Sequence, residues 1–264
     1  MDMQLQGKTA VITGGSIGIG EAVARALAKE GVNLILVARD KARMDEAAKR
    51  IAGEYHVKAY GVSADVSLAE DINSVIDQTG KLFDGLDILI NNAGVGSNEL
   101  IQEATDEKWQ YYWDLHVMAT VRLGRGFLPM MRKTKSGVIL NNASICAKQP
   151  LFYEPIYNTT KAALMMLSKC MANEFIKDNI RVNCINPGMV MTPDYINTAK
   201  KLAAERNTTW EAYLDQLAKD STPIGRFASP EEVADFFVFL CSPRSSYCVG
   251  TAYYIDGGWL NSVA

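Results

Sequence analysis

Seven short apolar runs, each separated from the next by a segment of helical character, constrain this chain more than any other feature. The runs are Thr9–Thr13, Val32–Ala38, Val57–Val62, Leu86–Asn91, Gly137–Asn142, Ile180–Ile185 and Thr251–Ile255. Most are apolar without strict alternation, the pattern of strands buried on both faces. Between them, 3.6-residue periodicity predicts helices over Ile19–Lys29, Lys41–Ala52, Leu68–Phe83, Asp106–Met131, Ile156–Lys177 and Pro230–Leu240. Strand, helix and strand in that order close a right-handed crossover between parallel strands. Repeated along the chain, it specifies an α/β fold with one doubly wound parallel sheet of seven strands. A chain of 264 residues suits one core of this kind, and no linker, repeat or low-complexity segment divides it. One domain, 1–264, is expected.

The rhythm breaks once. Thr192 to Arg226 contains no strand, only a helical piece carrying Trp210, Tyr213 and Leu214. A long insertion after a strand of such a sheet either covers a ligand or buries its aromatics in a subunit contact. The expectation is a substrate lid over 192–226.

Composition removes several functions. The formal net charge of −3 and the lack of like-charge runs leave no footprint for nucleic acid. No apolar run is long enough to span a bilayer, and the N-terminal residues lack a signal peptide's regions, so the cytoplasm is expected. Cysteines stand at 146, 170, 184, 241 and 248 without Cys-x-x-Cys spacing. They suggest wall or core thiols, not a disulfide framework or a zinc site. His56 and His116 fit no metal-ligand pattern, and no metal is expected.

Where the first strand meets the first helix the chain reads Thr13-Gly14-Gly15-Ser16-Ile17-Gly18-Ile19-Gly20. Glycines there let the backbone approach a pyrophosphate, which the helix N-terminus favours electrostatically. The spacing, with glycines at 14, 18 and 20, differs from the common Gly-x-Gly-x-x-Gly fingerprint, but its place between a buried strand and a helix suits a Rossmann-like sheet. The second strand ends in Ala38-Arg39, without the acidic residue that would accept hydrogen bonds from a ribose 2′-hydroxyl. An arginine accommodates a 2′-phosphate instead, in a charge-assisted bond of about 1.5–3 kcal/mol, or ~10–100-fold in affinity. NADP(H) is favoured, with NAD(H) open should Arg39 only stack on an adenine. Asp40 reads as a helix N-cap.

The chemistry is concentrated in Ser144–Lys161, SICAKQPLFYEPIYNTTK. Tyr157 and Lys161 stand at i and i+4, on one face of a helix. An ammonium beside a phenol lowers its pKa from about 10 by ~1–3 units, toward ~7–9, where a general acid/base works best. Ser144 can hydrogen-bond an oxygen that changes between carbonyl and alkoxide.

Together these segments resemble the short-chain dehydrogenase/reductase superfamily over almost the whole chain. Thr13–Gly20 resembles its glycine turn, Ala64-Asp65-Val66 its adenine-side segment, and Asn91-Asn92-Ala93-Gly94 the motif that ends its fourth strand. Asn186–Thr192 resembles its nicotinamide loop and Asp256-Gly257-Gly258 its usual C-terminal ending. Ser144, Tyr157 and Lys161 match its catalytic Ser and Tyr-x-x-x-Lys. The resemblance implies cofactor contacts from Gly14, Ser16, Ile17, Gly18, Ile19 and Arg39, from Asp65, Val66, Asn92, Ala93 and Gly94, and from Pro187, Gly188, Val190 and Thr192. Tyr157 would exchange a proton with the substrate oxygen while Ser144 polarises it. Lys161 would lower the Tyr157 pKa and bind the nicotinamide ribose hydroxyls. Many members carry an asparagine in the fourth helix as a fourth catalytic residue, where this chain has His116. That residue is either a proton relay titrating near neutral pH or a packed histidine in a kinked helix.

The expected pocket walls are Ile145, Cys146, Leu151, Glu154, Met189, Met191 and Tyr195, with Trp210 or Tyr213 in the lid. Mostly apolar and flexible, they suit a medium-sized hydrophobic or aromatic ketone or alcohol. Glu154 reads as an exposed loop carboxylate or as a partner for a substrate hydroxyl or amine. The helices Asp106–Met131 and Ile156–Lys177 pair between subunits in the resembled family, implying a homotetramer, with a dimer as the smaller alternative. The expected activity is hydride transfer between NADP(H) and a secondary alcohol or ketone. The alternatives are an NAD-dependent diol or polyol dehydrogenase and a catalytically silent cofactor sensor.

Overall fold

Residues 2–262 are described by the structure, a computed structural model. Seven strands form it: β1 (Thr9–Thr13), β2 (Asn33–Ala38), β3 (Ala59–Ser63), β4 (Ile88–Asn91), β5 (Gly137–Asn142), β6 (Ile180–Pro187) and β7 (Ala252–Ile255). All pair in parallel, in the order β3-β2-β1-β4-β5-β6-β7. The sheet divides its side chains by the two-residue period of a strand. Ala10 and Ile12 of β1, with Leu34 and Leu36 of β2, enter one core; Val11, Ile35 and Val37 enter the other. The first core is closed by α1 (Gly18–Lys29), α2 (Lys41–Tyr55) and α9 (Pro230–Cys241). The second is closed by α3 (Ala69–Leu82), α5 (Ala119–Lys133) and α6 (Pro155–Phe175). Phe237 and Phe127, both fully buried, fill the centres of the two layers.

Two helical segments differ from the sequence reading. The expected continuous helix over Asp106–Met131 is instead α4 (Asp106–Trp113), a π-helical turn at Asp114–Met118, and α5. The wider turn is stabilised from its own side chains. Asp114 pairs with Arg122 at 2.8 Å, and the Thr120 hydroxyl donates to the His116 carbonyl at 3.1 Å. Turns of this kind occur often at functional sites, and His116 sits in this one.

The excursion after β6 holds two helices, not one: α7 (Pro193–Glu205) and α8 (Trp210–Ser221). Each starts at a threonine cap, Thr192 and Thr209. The pair shares an apolar cluster with Met189 and Phe227, in which Leu214 and Ala218 are buried and Trp210 and Tyr213 are packed. Its aromatics are thus taken up within the subunit.

Strand order reverses between β1 and β4, opening a crevice at the carboxyl ends of the sheet. Thr13, Asn91, Asn142 and Pro187 end their strands along that edge. Among the described residues no helix is long and apolar enough to cross a membrane.

Candidate active site

The glycine turn is shaped by contact as much as by conformation. Gly14 and Gly18 have φ of +66° and +59°, in the left-handed region that favours glycine. A Cβ on Gly20 would run into the Gly14 carbonyl and the Asn92 side chain. Ile17, the N-cap of α1, offers no side-chain cap and is exposed, so the first amides of α1 are left for an anion. Thr192 and Pro193 face this turn, 3.5 and 3.9 Å from where a Gly18 Cβ would stand. The residues present therefore fit a dinucleotide: a cradle closed to side chains, uncapped amides, and Arg39 exposed at the end of β2. Asp40 caps α2, accepting from the Arg43 amide at 3.1 Å.

A row of side-chain bonds runs along the crevice floor. Thr13 Oγ1 accepts from the amides of Asn92 and Ala93 at 2.9 and 3.0 Å. The Asn92 side-chain Nδ2 donates to the Thr13 carbonyl at 3.0 Å, leaving its Oδ1 to accept from Asn142 Nδ2 at 2.8 Å. The Asn142 carbonyl accepts from Lys161 Nζ at 2.8 Å. The glycine turn and Lys161 are thereby one connected unit. Gly94 lies beside that lysine, 3.5 Å from Nζ at its Cβ position. Pro187 ends β6, and Gly188 continues the ladder by donating to the Ile255 carbonyl at 2.9 Å. Of the other expected contact residues, Val66 and Val190 have side chains in the core, and the Asp65 carboxylate accepts from the amide and hydroxyl of Ser67. Ser16 is buried within the turn and Ile19 packs against the core under it.

Ser144, Tyr157, Lys161 and His116 converge at one end of this row. Ser144, buried after β5, hydrogen-bonds the Tyr157 phenol and accepts from the Cys146 amide at 3.2 Å. Lys161 Nζ stands 5.3 Å from the Tyr157 ring centre and the His116 ring 5.7 Å from it, edge-on. The expected fall of the Tyr157 pKa is not what this site produces. Burial raises it, and the Ser144 bond opposes that only in part. Lys161 is itself buried, which lowers its pKa to about 8, and its ammonium is directed at the Asn142 carbonyl. The desolvation of a phenolate outweighs a cation so placed.

The surroundings of His116 bear on its two readings. Its Nδ1 lies 2.9 Å from Thr160 Oγ1. That hydroxyl has one proton, directed to the carbonyl of Ile156 or Tyr157 at 3.0 and 3.1 Å. With the hydroxyl proton on either carbonyl, Nδ1 carries the ring proton and Nε2 is left a bare acceptor, with no hydrogen-bond partner among the described residues. Burial first and the Lys161 charge second hold its pKa well below the ordinary value. A ring held neutral in this way suits the packed histidine better than a relay that titrates near neutral pH. In the pH profile of kcat/KM, His116→Asn is expected to change the height but add or remove no inflection between pH 6 and 8; a wild-type inflection lost in the variant would refute the neutral ring.

Glu154 is not the exposed carboxylate that its loop position suggests. It is half-buried, and its pKa is pushed up to about 7 by burial and then by Glu99 and Asp194. It occupies the N-cap of α6 but makes no cap bond. Its carboxyl instead faces Gly96, 3.7 Å from a Cβ built there. Glu99, absent from the sequence reading, is buried and paired to Lys108 at 2.5 Å. Sequence gave no sign of it, because an acid in a polar loop carries no periodicity. Asn142 did have a signal: Asn-Asn closes β4 and β5 alike, at facing positions. Cys146, its thiol pushed up to about 11 by burial, is an inert wall.

A family model described as enoyl-(acyl carrier protein) reductase matches residues 14–260. The 3-oxoacyl-(acyl-carrier-protein) reductase FabG of Aquifex aeolicus is 33% identical, over 98% of this chain and 99% of its own length. The human dehydrogenase/reductase SDR family member 4 is 32% identical, over 96% of this chain and 88% of its own. Among solved structures, the L-sorbose reductase of Gluconobacter frateurii, complexed with NADPH and L-sorbose, is 57% identical with a TM-score of 0.98, covering all of both chains. The chain belongs to the short-chain dehydrogenase/reductase family, and is an NAD(P)-dependent oxidoreductase acting on CH–OH groups.

Proposed function

We propose that this protein is an NADPH-dependent reductase of a polyhydroxylated ketone, a ketose, giving the corresponding polyol. The observation that carries the substrate class is Glu154: a half-buried carboxyl released from helix capping, three residues before the proton donor. Such a group can accept hydrogen bonds from hydroxyls, which an aromatic or aliphatic ketone does not bring. The 57% identical relative, complexed with NADPH and L-sorbose, supports the same class. Arg39, exposed at the end of β2 with no acid at that strand end, supports the phosphorylated cofactor.

When bound, the cofactor supplies the hydride; the rest is done by the chain. Ser144 holds the ketone oxygen by its hydroxyl. Tyr157, kept protonated by burial, donates its phenolic proton to that oxygen as charge develops on it. Lys161 holds ribose hydroxyls and carries positive charge beside the phenol, and the Asn142 carbonyl keeps it in place. His116 presents the bare Nε2 on the same side as Lys161, its orientation set by Thr160. The paired helices α7 and α8 form the lid, and the five free cysteines accord with a cytoplasmic location. Assembly as a homotetramer rests on the family; sedimentation at micromolar concentration is expected to show four subunits, and a monomer would refute it.

The test is the absorbance of the reduced nicotinamide during turnover, with NADPH or NADH, against L-sorbose and against cyclic and aryl ketones. Fast oxidation of NADPH by L-sorbose alone is expected, with Arg39→Ala losing ~10–100-fold of the preference for NADPH over NADH. Faster turnover with NADH overturns the cofactor assignment; faster turnover of aryl ketones overturns the substrate class.

A further inference from the structure

The helix that carries Tyr157 and Lys161 begins without help from its own N-cap. In α6 the orphan amides of the first turn belong to Ile156 and Tyr157, because Pro155 has none and Asn158 already reaches the Glu154 carbonyl at 2.9 Å. A capping side chain at position 154 would satisfy the third amide, that of Tyr157. Glu154 does not. The Tyr157 amide donates instead to the hydroxyl of Ser97, at 3.3 Å, from the loop after β4. Ser97 is buried, 5% exposed, in a loop otherwise largely open to solvent.

The neighbouring backbone is fixed by other bonds. Asn158 donates to the Leu151 carbonyl at 2.6 Å and accepts from its amide at 3.3 Å. The Glu99 amide donates to the Tyr153 carbonyl at 3.1 Å, and the Tyr112 hydroxyl to the Gly96 carbonyl at 2.7 Å. With that frame set, the freedom left around the start of α6 is which oxygen meets the Tyr157 amide.

We propose that Ser97 is a positioning residue: it caps α6 from another loop, holds Tyr157 in register with Ser144, and so leaves the Glu154 carboxyl to the substrate. In its absence Glu154 is the N-cap side chain, and the bare Tyr157 amide is its natural partner. The carboxyl would then turn back to the helix and leave the pocket. The part played by Glu154 rests on the ketose reading above; the capping of Tyr157 does not.

The experiment compares wild type, Ser97→Ala and Ser97→Thr in three measurements. The first is amide hydrogen exchange of the peptide that starts α6, without substrate. The others are NADPH affinity from reduced-nicotinamide fluorescence, and kcat and KM for L-sorbose. For Ser97→Ala, exchange at the start of α6 is expected to speed up about five-fold, because Glu154, in contact with solvent, shields the Tyr157 amide less than the buried Ser97 does. Its kcat/KM for L-sorbose is expected to fall about ten-fold, through kcat as Tyr157 loses register and through KM as Glu154 leaves the pocket, with NADPH affinity unchanged. Ser97→Thr restores both, since it keeps the hydroxyl. Unchanged exchange in Ser97→Ala, a parallel loss of NADPH affinity, or no recovery in Ser97→Thr overturns the proposal. If wild type does not turn over L-sorbose, the ketose reading fails, while the exchange result still decides whether Ser97 caps Tyr157.

Discussion

Replacing Tyr157 by Phe is expected to lower kcat for ketone reduction by about a thousand-fold while leaving NADPH affinity within two-fold. A positioned general acid typically contributes ~10²–10⁴ in rate. Here no other donor is equally placed among the described residues: His116 Nε2 has no partner, and the Cys146 thiol is raised to about 11 and buried. The phenyl ring keeps the packing against His116 and loses only the Ser144 bond, which costs about 0.5–1.5 kcal/mol. The variant should therefore fold, and fluorescence of the bound reduced nicotinamide separates loss of chemistry from loss of binding. The same site fixes a pH dependence. Tyr157 stays protonated through the neutral range, so it sets no limb there. Lys161, lowered to about 8 by burial, loses its charge as pH rises through that value. Wild-type kcat/KM for reduction is thus expected to fall above pH 8. Near-normal turnover by Tyr157→Phe would remove Tyr157 from the chemistry, and a rate still rising at pH 9 would remove the charged lysine.

The fold was legible because its signal is collective. Seven apolar runs and the helices between them agree with one topology, and errors at element ends, such as β6 reaching Pro187 where Ile185 was expected, do not disturb it. Ser144, Tyr157 and Lys161 were legible for another reason: their spacing brings them to one place once the strand and helix are set. What the sequence concealed was electrostatic. The i, i+4 spacing of Tyr157 and Lys161 suggests a cation that lowers the phenol pKa. Whether it does depends on how much water both groups lose, and that is decided by β5, the π-helical turn and the loop after β4 together. Asp106–Met131 has continuous helical periodicity, so the wide turn that aims His116 inward left no mark in the pattern. Ser97 is the extreme case, since its role consists of one bond to an amide 60 residues away.

Glu154→Gln is expected to cut kcat/KM for L-sorbose by 10–100-fold while making the protein more stable at pH 8, and these opposite signs identify its role. A hydrogen bond to a charged group contributes about 1.5–3 kcal/mol, and the amide replaces only part of it. Stability moves the other way. The folded-state pKa of about 7 lies above the ordinary carboxyl value of 4.5. Between those values the folded protein binds more protons than the unfolded chain, so stability falls as pH rises from about 4.5 through 7. Above 7 the full cost of holding a carboxylate beside Glu99 and Asp194 is present; at pH 5 most of it is absent. Gln carries no charge and removes the cost. Because Glu154 retains contact with solvent, screening reduces the effect to about 1 kcal/mol, or roughly 2–4 °C in Tm for a chain of this size. Thermal unfolding at pH 5 and pH 8 should show a gain for Glu154→Gln at pH 8 and almost none at pH 5. The proposed ketose substrate would account for a carboxylate kept at such a cost, the usual relation between a functional group and the stability lost to it. If the variant keeps wild-type kcat/KM for L-sorbose, Glu154 is not the polyol-binding group. If it is destabilised at pH 8, the carboxylate is held by favourable bonds and the account of its raised pKa is wrong.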